Sequence, residues 1–310
     1  MSTIQIERIK PLPASYYTLN ELRNIPSEHG RLSMRHPFSQ YSNSLDNILS
    51  HMDKMLTGAH DVMPLFQAGL SLSEQQIELL QGLTSNFLYA LMEHLDDCDN
   101  IISCYIARKS KKEKSEIFKS FKDKIYEDCT EHIRIAVNKM KHQQRKIGII
   151  NLKSKNENVL SYFILGPIKE DELGWCPLVY EKRDIPSYFT YRSSIAYHLY
   201  NLYKISENLK KILTKININI NKFPDKKPQL DSSNLERKFM IAMLKTERLP
   251  RRIHYMDYKF QNADIHFLTN RITVFYPQEK NQLLYLAPPI NYTYYGKVDG
   301  MSPCFNVKRM

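Results

Sequence analysis

Lys111–Gly148 reads KKEKSEIFKSFKDKIYEDCTEHIRIAVNKMKHQQRKIG. Apolar residues recur at Ile117, Phe121, Ile125, Cys129, Ile133, Val137 and Met140. Steps of mostly four put them on one stripe of a 3.6-residue helix, so the stretch predicts a single long helix. A second face carries Arg134, Asn138 and His142 at i, i+4 and i+8, stacked along one line. Lys141 and Arg145 flank that line. A cation, an amide and an imidazole in a row, on a face free of apolar residues, suit contact with a phosphodiester or chemistry upon it. The same pattern also describes a solvated helix face rich in Lys and Arg.

Before this stretch the helical period continues. Ser73 followed by Gln76 is a capping box. Ile77, Leu80, Leu83, Phe87, Leu88, Leu91, Leu95, Ile102 and Ile106 carry the stripe to about Ala107. With the Lys111 helix it predicts an antiparallel helical hairpin. Further upstream, Ser42 or Ser44 caps a shorter helix through Leu56, which Gly58 should end. Residues 1 to 41 are broken by Pro11, Pro13, Pro26 and Pro37 and read as an irregular arm.

After Gly148 the period becomes two. Ile149–Lys153 and Val159–Leu165 predict two strands around a polar turn, and Leu178–Glu181 a third. These form a small β insertion at about 149–182. Helix returns from Tyr191 to Ile216, with Ile195, Leu199, Leu202, Ile205, Leu209, Ile212 and Leu213 in its stripe. The polar, proline-bearing run at 217–229 reads as a linker. Residues 230–310 predict a small α+β unit: a helix from Ser233 to Lys245, then strands at 253–260, 265–268, 272–276, 283–287 and 292–297. The fold class is therefore mainly α, a helical bundle over 42–216 with a β insertion and a small α+β C-terminal unit.

The chain has 310 residues with a formal charge of +11. Between Tyr105 and Lys155 there are 15 Lys and Arg against 6 Asp and Glu, an excess of nine. Such a basic stripe is the electrostatic footprint of a polyanion partner, chiefly nucleic acid. Lys139, Lys141, Arg145 and Lys146 are the candidate phosphate contacts. Arg108–Lys114 reads as an exposed, charged helix junction. No apolar run approaches the roughly 18 residues of a membrane span, and the N-terminus lacks the apolar core of a signal peptide. A cytoplasmic protein without membrane contact is the expectation. Five cysteines, none in a C-x-x-C pair, read as reduced packing residues.

The Asn138–His142 spacing resembles part of the motif of the HEPN superfamily. HEPN proteins are small helical bundles, many of them metal-independent RNases of toxin–antitoxin and antiphage systems, others non-catalytic RNA binders. Their motif sets an arginine, usually followed by a polar residue such as Asn, several residues before a histidine. Asn138 and His142 match its latter part; its arginine would fall at Val137. The resemblance spans at most 42–216. It implies RNA as partner, a homodimer, a bacterial defence setting, and no metal or cofactor.

Metal-free RNA cleavage needs a base near the 2′-hydroxyl and a cation for the phosphorane charge. His142 would be the base. Arg134, Lys141 or Arg145 would supply the cation. Arg192 and His198, opening the last long helix of the bundle, form a second candidate pair. Other chemistries have weaker marks. Asp257-Tyr-Lys259 with Glu247 resembles half of a metal-nuclease motif. Glu93, His94, Asp96, Asp97 and Asp99 form an acidic cluster. Arg248, Arg251 and Arg252 lie beside Tyr255 and Tyr258, a mixture that suits a single strand. There is no Walker-type loop, no G-x-S-x-G and no H-E-x-x-H. Two functions follow: a HEPN-like RNA-binding protein, with or without metal-independent endoribonuclease activity, or a non-catalytic nucleic-acid-binding or adaptor subunit of a multi-component defence complex.

Overall fold

The computed structural model describes residues 3–125, 131–143, 145–153, 158–169, 172–175, 189–216, 233–250, 264–275, 291–295 and 302–303. Its organising pair is α2 (Pro37–Gln67) and α3 (Glu74–Ile106), an antiparallel hairpin. The capping box at Ser73 is formed. Its hydroxyl accepts the Gln76 N–H at 3.3 Å, and the Gln76 side chain accepts the Ser73 N–H at 2.8 Å. One edge of the hairpin is a polar ladder. Gln40 donates to Asp97 at 2.8 Å, Ser44 meets His94 at 2.8 Å, and Asn47 donates to Glu93 at 3.3 Å.

α2 runs past Gly58, where the sequence predicted its end. A Cβ on Gly58 would lie 2.8 Å from Leu83 Cδ1 and 3.4 Å from Leu80 Cδ2. The glycine is there to let α2 approach α3, and the apolar contact outweighs a helix-propensity cost of about 1 kcal/mol.

Lys111–Gly148, expected as one helix, holds two helices separated by residues outside those described. α4 spans Lys111–Ile125 and α5 spans Glu131–Gln143. They lie on different partners, α4 along a later helix (α6) and α5 along α3. The hairpin partner of α3 is thus α2. The helical reading of 111–148 also overran its end. β2 (Lys146–Lys153) begins the antiparallel pair with β3 (Asn158–Lys169), so Lys146–Gly148 are strand. The β-branched Ile147, Ile149 and Ile150 favour that state. Gly148 stands opposite Phe163, whose ring covers the place of the missing side chain. A Cβ there would sit 2.4 Å from the ring.

α6 (Tyr191–Lys215) is the central helix. Every side chain from Tyr191 to Tyr203 is buried, as expected of a helix enclosed on all sides. Tyr191 meets Thr84 of α3 at 2.8 Å, and Ser194 meets Tyr162 of β3 at 2.7 Å. α1 (Ala14–Glu21) is tied to it through Ser15, which donates its N–H to Ser206 Oγ at 2.7 Å and its hydroxyl to Ser206 O at 2.6 Å. α7 (Ser233–Arg248) lies beside α2. Lys238 pairs with Asp46 at 2.5 Å and Lys245 with Asp53 at 2.6 Å. Both steps are seven residues in the same direction, so the two helices are parallel.

Two sheets complete the architecture. The larger has the order β8-β2-β3-β4-β9, with β4 at Glu172–Trp175, β8 at Asn291–Tyr295, β9 at Ser302–Pro303, and β5 (Phe189–Thr190) also on β3. The smaller is β1-β7-β6, from Thr3–Glu7, Arg271–Phe275 and Asp264–Phe267. In it Ile4 and Ile6 face Val274 and Ile272. The first forty residues therefore hold a strand and a helix where an irregular arm was expected. Their strand pairs with the C-terminal strands, and one continuous core runs from Ile4 to Val274. The expected strands at 178–181, 253–260 and 283–287 and the linker at 217–229 lie outside the described residues.

Candidate nucleic-acid interface

α5 meets the core with Ile133, Ala136, Val137 and Met140, all buried. That geometry decides which way its polar residues face. Asn138, Lys141 and His142 are exposed, while Arg134 and Lys139 are half-buried. Val137, at the position of the HEPN arginine, is 1% exposed and belongs to the core. His142 and Lys141 stand in the last turn of α5, where cations favour the negative end of the helix dipole.

Arg145 and Lys146 are not on the helix. Arg145 lies in the corner between α5 and β2, its N–H donating to Lys139 O at 3.3 Å, and exposed Lys146 opens the strand. Arg145 is half-buried and forms no ion pair with any described residue. Its Nε is shielded from water and has no hydrogen-bond partner. A desolvated guanidinium donor left open is costly in isolation, and an acceptor that reaches it, whether water, carbonyl or anion, relieves that cost. On the α3 side, Lys141 Nζ sits 5.3 Å from the centroid of the Tyr89 ring. The corner therefore gathers Asn138, Lys139, Lys141, His142, Arg145 and Lys146 on neighbouring turns of chain, with Arg134 two turns back along α5.

The second candidate pair lies in the interior. Arg192, 4% exposed, stands in the first turn of α6. Its Nη1 donates to the carbonyls of Glu247 at 2.9 Å, Leu249 at 3.3 Å and Thr246 at 3.4 Å, and its Nη2 to Ile265 at 2.9 Å. It thus closes the C-terminal end of α7, whose last carbonyls have no partner within the helix. His198, 1% exposed, meets Phe87 and Tyr197 edge-on, with ring centroids 5.8 and 5.3 Å away. Neither residue is open to a macromolecule at the surface.

The acidic cluster is also dispersed. Asp99 pairs with Lys122 of α4 at 3.1 Å, and Glu93 and Asp97 serve the α2–α3 ladder. Among the described residues no three His, Cys, Asp or Glu side chains converge on a point that would hold a metal. His94 is wholly buried, with Nδ1 on Ser44 Oγ and Nε2 3.7 Å from Cys98 Sγ. Burial lowers the imidazole to about 4 and pushes the Cys98 thiol up. Both stay neutral, so this Ser–His–Cys group locks the hairpin and does not form a charged nucleophile. Asp257, Lys259, Tyr255, Tyr258, Arg251 and Arg252 lie outside the described residues. Glu247 is exposed at the end of α7. No helix is long and apolar enough to cross a membrane among the described residues.

Sequence reasoning missed two contributions. Tyr89 was hidden as one aromatic between exposed Asn86 and Glu93 on α3, although an aromatic on a polar stripe is a readable signal. The unmet Nε of Arg145 had no sequence signal, because it depends on which acceptors fold next to it. No protein-family model matches the chain, and neither the curated proteins nor the solved structures yield a match to it.

Proposed function

We propose that the chain is an RNA-binding protein of HEPN-like character that takes the phosphate backbone at the corner between α5 and β2. The observation that carries this reading is Arg145, a half-buried guanidinium with an unmet Nε and no described acid beside it. The cations nearby on α5 and β2 extend one positive surface, and such surfaces bind phosphates through counterion release. Asn138 and His142 stand one turn apart on the exposed face of α5, where His142 can reach a 2′-hydroxyl. Lys141 or Arg145 would neutralise the phosphorane in a metal-independent cleavage. A bacterial antiphage or toxin–antitoxin role, and a homodimer that brings two α5 helices together, follow from the HEPN resemblance.

Burial of Val137 favours a second reading on one point. The arginine of the motif is replaced by a core residue, so binding without cleavage, as in an adaptor of a multi-component complex, uses the same surface.

The test is binding of purified protein to total RNA across a salt series, wild type beside Arg145→Glu. Wild type should bind with an affinity that falls steeply with salt, and Arg145→Glu should bind more weakly with a shallower slope. Equal binding by both proteins, or none by wild type at about 50 mM salt, refutes the reading. Incubation with RNA in EDTA separates the two forms. Cleavage by wild type and not by His142→Ala makes Asn138 and His142 an active site, whereas binding without cleavage leaves the adaptor.

A further inference from the structure

The surface beside the cations is not uniform. α3 turns Asn86 and Glu93 to solvent, and between them the half-buried Tyr89 is the aromatic residue of that outward stripe. Lys141 of α5 lies over its ring at 5.3 Å. A cation over the centroid means that the π face, not the edge, is turned towards the exposed side of α5. The Tyr89 hydroxyl makes no hydrogen bond to a described residue.

Lys141 is exposed, and an exposed cation–π contact is weak. Its long stem lets the ammonium lift onto a phosphate and leave the ring open. An unstacked base placed on that ring would have its backbone beside Asn138, His142 and Arg145. A duplex offers no free base face, because its bases are stacked on one another and its grooves display backbone and edges. A π face set next to a row of cations is the combination by which single strands are held.

We infer that Tyr89 is a base-stacking platform and that the polyanion taken at this corner is a single-stranded RNA. The inference rests on the RNA-binding reading given above and names the substrate class of that same surface.

Fluorescence anisotropy tests it with two labelled probes, an oligouridine of about twelve nucleotides and an RNA duplex of about the same length. The proteins are wild type, Tyr89→Ala, Tyr89→Phe and Arg145→Glu, each checked for wild-type thermal unfolding. Wild type should prefer the single strand. Tyr89→Ala should weaken oligouridine binding about tenfold and leave duplex binding unchanged. Tyr89→Phe, which keeps the ring, should bind as wild type. Arg145→Glu should weaken both probes. Equal or tighter binding of the duplex, or a silent Tyr89→Ala, overturns the inference. If Arg145→Glu still weakens binding in that case, the RNA-binding reading stands without it. Absence of binding to either probe overturns both.

Discussion

Arg192→Ala should cost this protein a large share of its stability. The guanidinium is buried, and two of its bonds are short: Nη1 to Glu247 O and Nη2 to Ile265 O, each 2.9 Å. The contacts to Leu249 O and Thr246 O, at 3.3 and 3.4 Å, are weaker branches of the same Nη1. Hydrogen bonds from a charged donor are each worth about 1.5–3 kcal/mol net, so the two short ones amount to about 3–6 kcal/mol. A domain is stable by only about 5–15 kcal/mol in total. Alanine also removes the guanidinium from the carbonyls of Glu247, Leu249 and Ile265, which it holds together. Arg192→Lys should recover only part, since one ammonium cannot span two carbonyls that the planar fork reaches together. Urea unfolding followed by far-ultraviolet circular dichroism measures the difference. A loss below about 1 kcal/mol for alanine, or a lysine variant equal to wild type, would refute the assignment of Arg192 as the clamp between α6, α7 and β6. Loss of RNA binding at unchanged stability would restore it as a site residue.

Three further outcomes can be checked on the same footing. Gly148→Val should destabilise by at least about 2 kcal/mol, because its side chain must displace the Phe163 ring, and adding Phe163→Leu should recover part of the loss in the same urea titration. His94 remains neutral in the folded state down to about pH 4, while the unfolded chain takes up that proton near 6.5. Only the unfolded state gains a proton as pH falls through that window, so stability should drop by up to about 3 kcal/mol between pH 6.5 and 4. His94→Gln should flatten that slope, and an unchanged slope would count against the burial argument. Lys238→Ala with Lys245→Ala should cost less than about 2 kcal/mol, the pairs being partly exposed, and the loss should shrink in about 1 M salt.

Much of the fold is legible locally. The stripe from Ile77 to Ile106 and the capping box at Ser73 locate α3, and the run from Ile195 to Leu213 locates α6. The switch to period two after Gly148 locates the β2–β3 hairpin, and mainly-α architecture follows from these elements together. The failures share one cause. Gly58 reads as a stop because the sequence does not show Leu83 arriving from another helix. The proline-broken N-terminus reads as irregular because Ile4 and Ile6 acquire their partners, Val274 and Ile272, more than 250 residues away.

The site divides in the same way. Helical periodicity alone places Asn138 and His142 on a different face from Val137, and charge counting alone marks 105–155 as the basic stretch. Those are properties of neighbours in the chain, governed by backbone geometry. Tertiary structure decided the rest. It took Arg192 and His198 into the core, moved Arg145 and Lys146 off the helix, and set Tyr89 under Lys141. It also left Arg145 without an ion pair among the described residues, its Nε unmet. Solvent access, hydrogen-bond satisfaction and charge pairing are set by residues distant in sequence, and only the packed chain brings them to the site.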